Sequence, residues 1–556
     1  MFPVSCVQMS EVFKMRKSRL FAASSVLLAS AALLAACGSK SSSSSSKPQK
    51  LAWTEAAELT TMDPSKATDR YDADQFNNVM EGLIRLSNKA KATPGMAKSW
   101  KESADGKTWT FNLRKGAKWS NGDEVTANDF VYSWRRTVDP KTASEYAYLF
   151  SGIKNADAIV AGKKKATALG VKADGKYKLV VTLDRRIPYF KLLMGFYIFF
   201  PQNQKFVEKC GSKYGTAAKY VLSNGPFKMT GWTGTNLSWK LKKSNTYWDK
   251  KNVKLDEVSM SVQKTQTTSY NLYQSGKLDE TNLNAQQSKQ LKGTKGWTIR
   301  KFASTKYLQY NIAKDKNLAN ANLRKAISLS INKSQLATTV GAANAPAVSF
   351  TAAGITDGAT GKDFSSEVET AATKAVQGYD KAKAKEYYKK ALKELGKKSI
   401  TIQLLGDDTD DAKKVTEFIQ SALETNLGMK VEVSNVPFKT RLSRVSALNF
   451  DVVATGWTAD FSDPISFLDL LAKGNAYNYG KWQSSSYNKN LTTSKTTGST
   501  ADRWKALVAA DQALVEDQGV TPLYYSNEAT LVKTSVKGVV FNGAGAPYNF
   551  KEAYIK

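Results

Sequence analysis

The chain has 556 residues, of which 42% are hydrophobic and 23% are charged, and this composition excludes disorder along its whole length. Its 81 Lys and Arg residues against 49 Asp and Glu residues give a formal net charge of +32, and it has no histidine. The lack of imidazole excludes Ser-His-Asp and Cys-His catalysis and the usual His-containing metal sites, and three cysteines are too few for a disulfide framework.

The first fifty residues have the pattern of an export signal followed by a tether. A basic segment at 15–19 precedes the uncharged segment 20–34, which is too short to span a bilayer. Small residues then lead to Cys37, and this arrangement resembles the lipobox at which bacterial lipoproteins are cleaved and acylated. We therefore predict a signal peptide at 1–36, with Met15 as a second candidate start, and a lipid-bearing Cys37 with a serine-rich tether at 37–49.

The positive charge is spread along the chain rather than gathered in one arm. Lysine supplies 67 of the 81 basic residues, whereas surfaces that read nucleic-acid bases favour arginine. We expect a solvated, charged surface with some affinity for anionic lipid head groups or wall polymer, and no nucleic-acid partner.

In chain order, the hydrophobic patterns of the body predict a mixed α/β domain. Residues 108–113 and 177–183 alternate as strands do. Thr126 begins a capping-box sequence ahead of an apolar helix face, and residues 323–331 read as a buried helix. The apolar segment 187–201 contains Pro188 and Lys191, so we expect it in the core rather than in a membrane.

Residues 380–433 carry the clearest helix signals. An amphipathic helix is predicted over 380–395, with Gly396 as its stop. A strand–helix–strand unit follows, with strands at 400–405 and 429–433 and a helix that ends at Gly428, and we expect the two strands to be parallel.

Three candidate chemical motifs in the chain do not satisfy their own requirements. The acidic cluster Asp407, Asp408, Asp410 and Asp411 lacks the glycine and the closing glutamate of a calcium loop and is interpreted as helix capping. Residues 358–363 have the wrong spacing for a phosphate loop. Ser330 and Lys333 form a Ser-x-x-Lys pair of a kind that a lysine-rich chain produces by chance. The sequence therefore predicts no catalytic residue, no metal and no cofactor.

Residues 450–464 form the segment with the strongest functional signal. A strand leads into Gly456, where a backbone without a side chain can approach another group closely. Asp460 follows, between the aromatic residues Trp457 and Phe461, and a carboxylate beside aromatic faces suits an ammonium group. The alternative is an aspartate that makes local turn bonds before Pro464.

Ordered sequence segments along nearly the whole chain resemble those of the solute-binding lipoproteins of peptide ABC importers, the oligopeptide-binding proteins of solute-binding family 5. The segments lie at 62–64, 81–83, 97–100, 105–114, 118–122, 125–134, 223–227, 323–333, 456–464 and 522–525. Several segments in the right order are more specific than any one of them.

The resemblance implies an α/β, two-lobed periplasmic-binding-protein-like (class II) fold with three structural domains around a ligand cleft. Domain I would combine residues 50–82, 200–305 and 520–556, domain II would be 83–199, and domain III would be 306–519. The family is not enzymatic, so the expected function is capture of peptides in a closing cleft and their delivery to an ABC permease. The protein is expected to be a monomer, lipid-anchored on the outer face of the cell membrane of a Gram-positive bacterium.

The resemblance also implies a binding site. The aspartate of the Gly-Trp-x-x-Asp segment, here Asp460, would hold the α-ammonium of an extended peptide, with Gly456 and Trp457 as backbone contact and wall. Thr455 and Phe461 complete the predicted site as their neighbours.

One departure from the family pattern concerns the other end of the peptide. Some relatives carry a basic residue two positions before Gly-Trp for the peptide's carboxylate, but this chain has Ala454, and Arg441 and Arg444 are out of register. A fixed peptide length is therefore not implied.

Two other functions remain open from the sequence. The same fold could bind another solute or a peptide pheromone, although the lack of histidine argues against a nickel complex. The lysine-rich exterior could instead make the protein a surface adhesin for anionic polymers.

Overall fold

The computed structural model describes residues 48–556, and these form one compact unit. The predicted signal peptide, Cys37 and most of the serine-rich tether lie outside the described residues. Within residues 48–556, no helix is long and apolar enough to cross a membrane.

Twenty-one strands are present in the described chain. In chain order, β1 to β21 are Lys50–Glu55, Ile84–Leu86, Ala92–Pro94, Ala97–Glu102, Thr108–Leu113, Val171–Ala173, Lys178–Thr182, Phe227–Thr230, Ser238–Lys243, Glu257–Val262, Glu280–Asn282, Trp297–Tyr310, Ala345–Pro346, Thr401–Asp407, Lys430–Val436, Val452–Thr458, Val520–Val532, Val536–Lys537, Val540–Phe541, Tyr548–Asn549 and Tyr554–Ile555.

Seventeen α-helices connect these strands within the described residues. In chain order, α1 to α17 are Arg70–Val79, Ala127–Val138, Ala156–Val160, Phe190–Leu193, Gln204–Cys210, Gln266–Gln274, Ala285–Leu291, Ala321–Ser330, Lys333–Val340, Phe364–Val368, Ala371–Gln377, Lys381–Leu395, Asp410–Leu427, Phe438–Ser446, Ile465–Leu468, Ser485–Thr496 and Thr500–Asp517.

Three larger sheets organise the described chain. One four-stranded sheet has the order β1-β10-β9-β8, with β1 and β10 parallel. A second, antiparallel sheet has the order β4-β5-β7-β6. The largest has seven strands in the order β11-β17-β12-β16-β14-β15, with β13 added on β17. In this sheet β14 is parallel to both β15 and β16, and the other pairs are antiparallel.

The predicted helices and strands are found close to their expected bounds. Helix α2 begins after Thr126, whose capping box with Asp129 is formed. Helix α12 ends at Gly396 (φ +64°) and α13 at Gly428 (φ +68°), so each glycine supplies the left-handed conformation that a helix end requires. The predicted parallel pairing around α13 is confirmed in β14 and β15, and the segment 187–201 is core.

The acidic cluster is only partly a helix cap. The side chain of Thr409 caps α13, and Asp410 and Asp411 lie in its first turn, where they complement the helix dipole. Asp407 and Asp408 instead make ion pairs, to Arg441 and Lys264 respectively, at 2.8 Å each.

Two large apolar cores stabilise the described chain. The first runs from Leu51 to Ala553 and packs under both four-stranded sheets, with Trp53, Trp119 and Trp134 among its largest buried side chains. The second packs helices α8, α9, α12 and α13 against the seven-stranded sheet. Strand β12 of the seven-stranded sheet spans the expected domain boundary at 305/306. The division of the chain into three domains therefore stays a prediction.

Candidate functional site

Asp460 is positioned by the end of strand β16 and the turn that follows it. The amide of Ala459 donates to the carbonyl of Ala303 at 2.8 Å, and the amide of Gly545 donates to the carbonyl of Ala459 at 2.7 Å. The amide of Asp460 donates to Ser466 Oγ at 2.8 Å. The backbone of this turn is therefore held from three sides.

The carboxyl group of Asp460 is almost fully buried yet incompletely bonded. Its residue is 6% exposed, and its Oδ1 accepts a hydrogen bond from the Tyr146 hydroxyl at 2.9 Å. Its Oδ2 is shielded from solvent and has no hydrogen-bond partner among the described residues. Burial raises the pKa of Asp460 well above its usual 3.8, although the Tyr146 and Ser466 hydrogen bonds act in the opposite direction. A cation would supply the missing partner.

The Tyr146 ring that contacts this carboxyl group belongs to a cluster of three aromatic rings that line the same cavity. The centroid of Tyr146 lies 6.1 Å from Trp457 and 5.4 Å from Tyr477, and Trp457 and Tyr477 lie 4.9 Å apart. The Trp457 Nε1 and the Tyr477 hydroxyl are buried without a hydrogen-bond partner in the described part of the chain. Ring faces next to an unpartnered carboxylate form a suitable environment for an ammonium group.

The edge of strand β16 before Asp460 is open on one side. Strand β12 pairs with β16 along its whole length, from Val452 to Thr458. Strand β14 accompanies it on the other side only at Val452 and Val453. From residue 454 to 458, that second edge has no strand partner within residues 48–556, and such an edge can pair with an extended chain.

A cavity of about 300 Å³ runs along this open edge. Its wall includes the end of β1, helix α1, β16 and parts of β12, β17 and α14. The charged side chains in the wall are Glu55, Asp69, Arg70, Lys264, Lys306, Asp407, Asp411, Arg441, Asp460 and Glu528. A cavity of this size is in the range of small-ligand sites.

Most of the cations in this wall already have an anionic partner. Arg70 pairs with Glu528 at 2.8 Å, and Arg441 pairs with Asp407 at 2.8 Å while it also donates to Thr455 Oγ1 at 3.2 Å. Lys264 pairs with Asp408 at 2.8 Å.

The structure brings most of the predicted site residues together. Thr455, Gly456, Trp457 and Asp460 all line the cavity. Phe461 does not line it, because its ring stacks on Tyr189 at a centroid distance of 5.0 Å. A Cβ atom at Gly456 would lie 2.6 Å from Lys306 Cδ, so the close approach expected at this glycine is made by a lysine of the neighbouring strand.

Tyr146 and Lys306 are the site residues that sequence reasoning missed. Tyr146 lies 314 positions from Asp460 in the short 3-10 helix Glu145–Phe150, and no local pattern connects the two. For Lys306 the sequence offered one signal, which is its position in a strand, here β12, that can pair with the strand of the 450–464 segment.

Comparison with known proteins gives the class of the protein. The family model described as bacterial extracellular solute-binding proteins, family 5 Middle, matches residues 91–479. The dipeptide-binding protein of Lactococcus lactis subsp. cremoris is 37% identical over 92% of this chain and 95% of its own. The chain therefore belongs to family 5 of the bacterial extracellular solute-binding proteins, a family of binding proteins rather than enzymes.

Solved structures confirm the two-lobed periplasmic-binding-protein-like fold. Listeria monocytogenes OppA bound to peptide is 39% identical, with a TM-score of 0.88 over 92% of this chain and 100% of that one. The pheromone receptor PrgZ is 34% identical, with a TM-score of 0.87 over 92% and 100% of the two chains.

The same comparison separates two arrangements of the lobes. The Escherichia coli murein tripeptide binding protein MppA is 28% identical, with a TM-score of 0.84 over 92% of this chain and 99% of that one. Its unliganded open form, 27% identical, gives only 0.61 over 92% and 98% of the chains. The structure described here therefore differs in its overall arrangement from that open form.

The raised pKa of Asp460 predicts that ligand binding depends on pH. An ammonium ligand needs the ionised carboxylate, so affinity should fall as pH falls through the raised pKa, by up to about tenfold per pH unit. Above about pH 8, deprotonation of the ligand's α-amino group should weaken binding again. Calorimetric titration of tri-alanine between pH 4.5 and 9 measures both limbs. An affinity that stays constant over this range would contradict a charge-paired Asp460.

Proposed function

We propose that this protein captures peptides outside the cell and delivers them to an ABC permease. Asp460 binds the α-ammonium group of the peptide, and the open edge of β16 pairs with the peptide backbone. The observation that carries the proposal is the unpartnered Oδ2 of Asp460 at the end of that open edge, inside a cavity.

The ammonium site has the chemistry that a peptide terminus requires. The Tyr146 hydroxyl bonds to Oδ1 and leaves Oδ2 for a second donor. An ammonium group has three donors, and a buried charge-assisted hydrogen bond is stronger than one in water. Trp457 and Tyr477 add ring faces around it.

The backbone edge explains how one site accepts different peptides. Main-chain hydrogen bonds are the same for every sequence, so they contribute affinity without selecting side chains. Water retained between the walls and the ligand's side chains can adapt to different residues. The names of the relatives support this proposal, since they include a dipeptide-binding protein and an OppA bound to peptide.

The finer parts of this function rest on the sequence. Cleavage before Cys37 and its acylation would anchor the protein on the outer face of the cell membrane of a Gram-positive bacterium, with the serine-rich segment as a tether. The protein acts as a monomer without cofactor, metal or catalytic residue, and it passes its ligand to the permease. Beyond Asp460, we assign peptide binding to Gly456, Trp457 and Thr455 in the cavity wall. Phe461 would contribute indirectly, through its stacking on Tyr189 next to the turn that carries Asp460.

A peptide pheromone is the second candidate ligand. The likeness to the pheromone receptor PrgZ supports it, and the same ammonium site and strand edge would serve a signalling peptide. The two roles differ in the ligand supplied by the environment rather than in the binding chemistry.

Peptide binding should raise the melting temperature of the protein. The protein is first freed of co-purified ligand by unfolding and refolding. A peptide at 100 times its dissociation constant stabilises the folded state by about 2.7 kcal/mol. For a folded chain of this length, that corresponds to a rise of roughly 2–3 °C. Differential scanning calorimetry with tri-alanine, and separately with polyphosphate, measures the effect. No rise with peptides, together with salt-sensitive binding of polyphosphate, would favour the adhesin function instead.

A further inference from the structure

Lys306 differs from the other cations of the cavity wall because it has no partner. It lies on β12 opposite Gly456 of β16 and is half-buried. Its ammonium group lines the cavity without a hydrogen bond or an ion pair to any residue in the described range 48–556. Arg70, Arg441 and Lys264 in the same wall are all paired with carboxylates.

The surroundings of Lys306 make its positive charge unfavourable in the empty cavity. Burial, followed by the nearby Arg70, lowers the pKa of Lys306, and Arg441 acts in the same direction. Asp407 and Glu528 partly oppose this effect, but each is already bonded to an arginine. Asp411 in the same wall also interacts electrostatically with Lys306, but it is paired with Lys414 at 3.3 Å. A ligand anion would therefore find a cation to which no carboxylate of the described residues is bonded.

The short chain between Gly456 and Asp460 limits the distance between Lys306 and the ammonium site. Its side chain crosses Gly456, where a Cβ would lie 3.0 Å from Nζ. Gly456 is four residues before Asp460, which places the two Cα atoms at most about 14 Å apart. The strand ends at Thr458 and the chain bends before Asp460, so the separation is shorter than this limit. Because an extended peptide advances about 3.3 Å per residue, its third or fourth residue is the one expected beside Lys306 when its ammonium group is at Asp460.

We propose that Lys306 binds a carboxylate of the ligand at its third or fourth residue. This carboxylate is either the C-terminus of a tri- or tetrapeptide or the acidic side chain of a longer peptide. The inference rests on the proposed peptide-binding function. It also explains the glycine at 456, because the lysine reaches the cavity through the space that a side chain there would occupy.

Two peptide series test the proposal and separate the two sources of the carboxylate. The first compares tri- and tetra-alanine with their C-terminal amides. The second compares hexa-alanine peptides that carry Glu or Gln at position 3 or 4. Affinities are measured by calorimetry for the wild-type protein, Lys306→Met and Lys306→Gln. Lys385→Met is the control, since Lys385 is exposed on α12 and lies outside the cavity wall.

Removing the ligand's carboxylate should weaken binding to the wild-type protein and to Lys385→Met by at least tenfold in one of the two series. In Lys306→Met or Lys306→Gln, whichever retains the wild-type circular dichroism spectrum, the same change should weaken binding less than twofold. The series that responds identifies the source of the carboxylate.

The inference is overturned if neither series responds in the wild-type protein, or if the response is unchanged in the folded Lys306 variant. Peptide binding that depends on Asp460 but not on any carboxylate would overturn this inference alone. Failure of every peptide in both series to bind would overturn the proposed function as well.

Discussion

Replacement of Asp460 by alanine should weaken the binding of a free-amino peptide by about 2–5 kcal/mol, or roughly 30- to 4000-fold. The variant leaves the peptide's ammonium group buried among Tyr146, Trp457 and Tyr477 without a charged partner. The loss is large because a buried charge without its partner keeps the full desolvation penalty. Calorimetric titration of ligand-free protein with tri-alanine measures it.

Acetylated peptides provide the internal control for this prediction. N-acetyl tri-alanine should bind weakly to the wild-type protein, and Asp460→Ala should weaken it little further, because acetylation already removes the charge. Glu386→Ala is the matched control variant, since Glu386 is exposed on α12 and away from the cavity wall. Equal losses for free and acetylated peptides would remove the role assigned to Asp460.

The second large effect is expected on stability, from the ion pair between Asp63 and Arg136. Arg136 forms two hydrogen bonds to Asp63, of 2.6 and 2.7 Å, and a third to Gln202 at 2.9 Å. The side chains are 3% and 17% exposed. Asp63→Ala leaves the guanidinium half-satisfied, and it should lower the free energy of unfolding by about 3–5 kcal/mol. Urea denaturation followed by circular dichroism measures the change.

Two variants make this stability prediction specific. Asp174→Ala removes a surface pair with Lys178, in which the two side chains are 57% and 45% exposed, and it should leave the stability unchanged. The double variant Asp63→Ala/Arg136→Met should recover part of the loss, since no uncompensated charge remains. A single Asp63→Ala protein as stable as the wild type would show that the pair contributes little.

Local signals in the sequence predicted much of the fold. The capping box at Thr126 and the glycines at 396 and 428 fix helix ends within a few residues, and these ends are found as expected. The family segment 62–64 now has a physical role, because Asp63 anchors α2 through Arg136. Such signals are readable because the residues that make them are neighbours in the chain.

The binding cavity could be predicted only in part, since its walls come from distant segments. Strand β16 and Asp460 were evident from one stretch of sequence, whereas Tyr146 reaches Asp460 only through the tertiary fold. Phe461, next to Asp460 in sequence, faces Tyr189 instead of the cavity, because the chain turns immediately after the strand. Sequence order does not record which side of a turn a residue faces.

The unpartnered Oδ2 of Asp460 also has a consequence for the opening and closing of the cleft during transport. Burial without a counter-ion disfavours the ionised form of this carboxyl group, so in the closed, vacant protein it must either take up a proton or become hydrated. Opening of the cleft would hydrate the carboxylate and restore its ordinary ionisation, whereas an ammonium ligand would supply the missing counter-ion in the closed form. The Asp460 carboxyl group would thereby favour the closed form when a ligand is bound. A permease could then distinguish the ligand-bound protein from the ligand-free protein by its conformation.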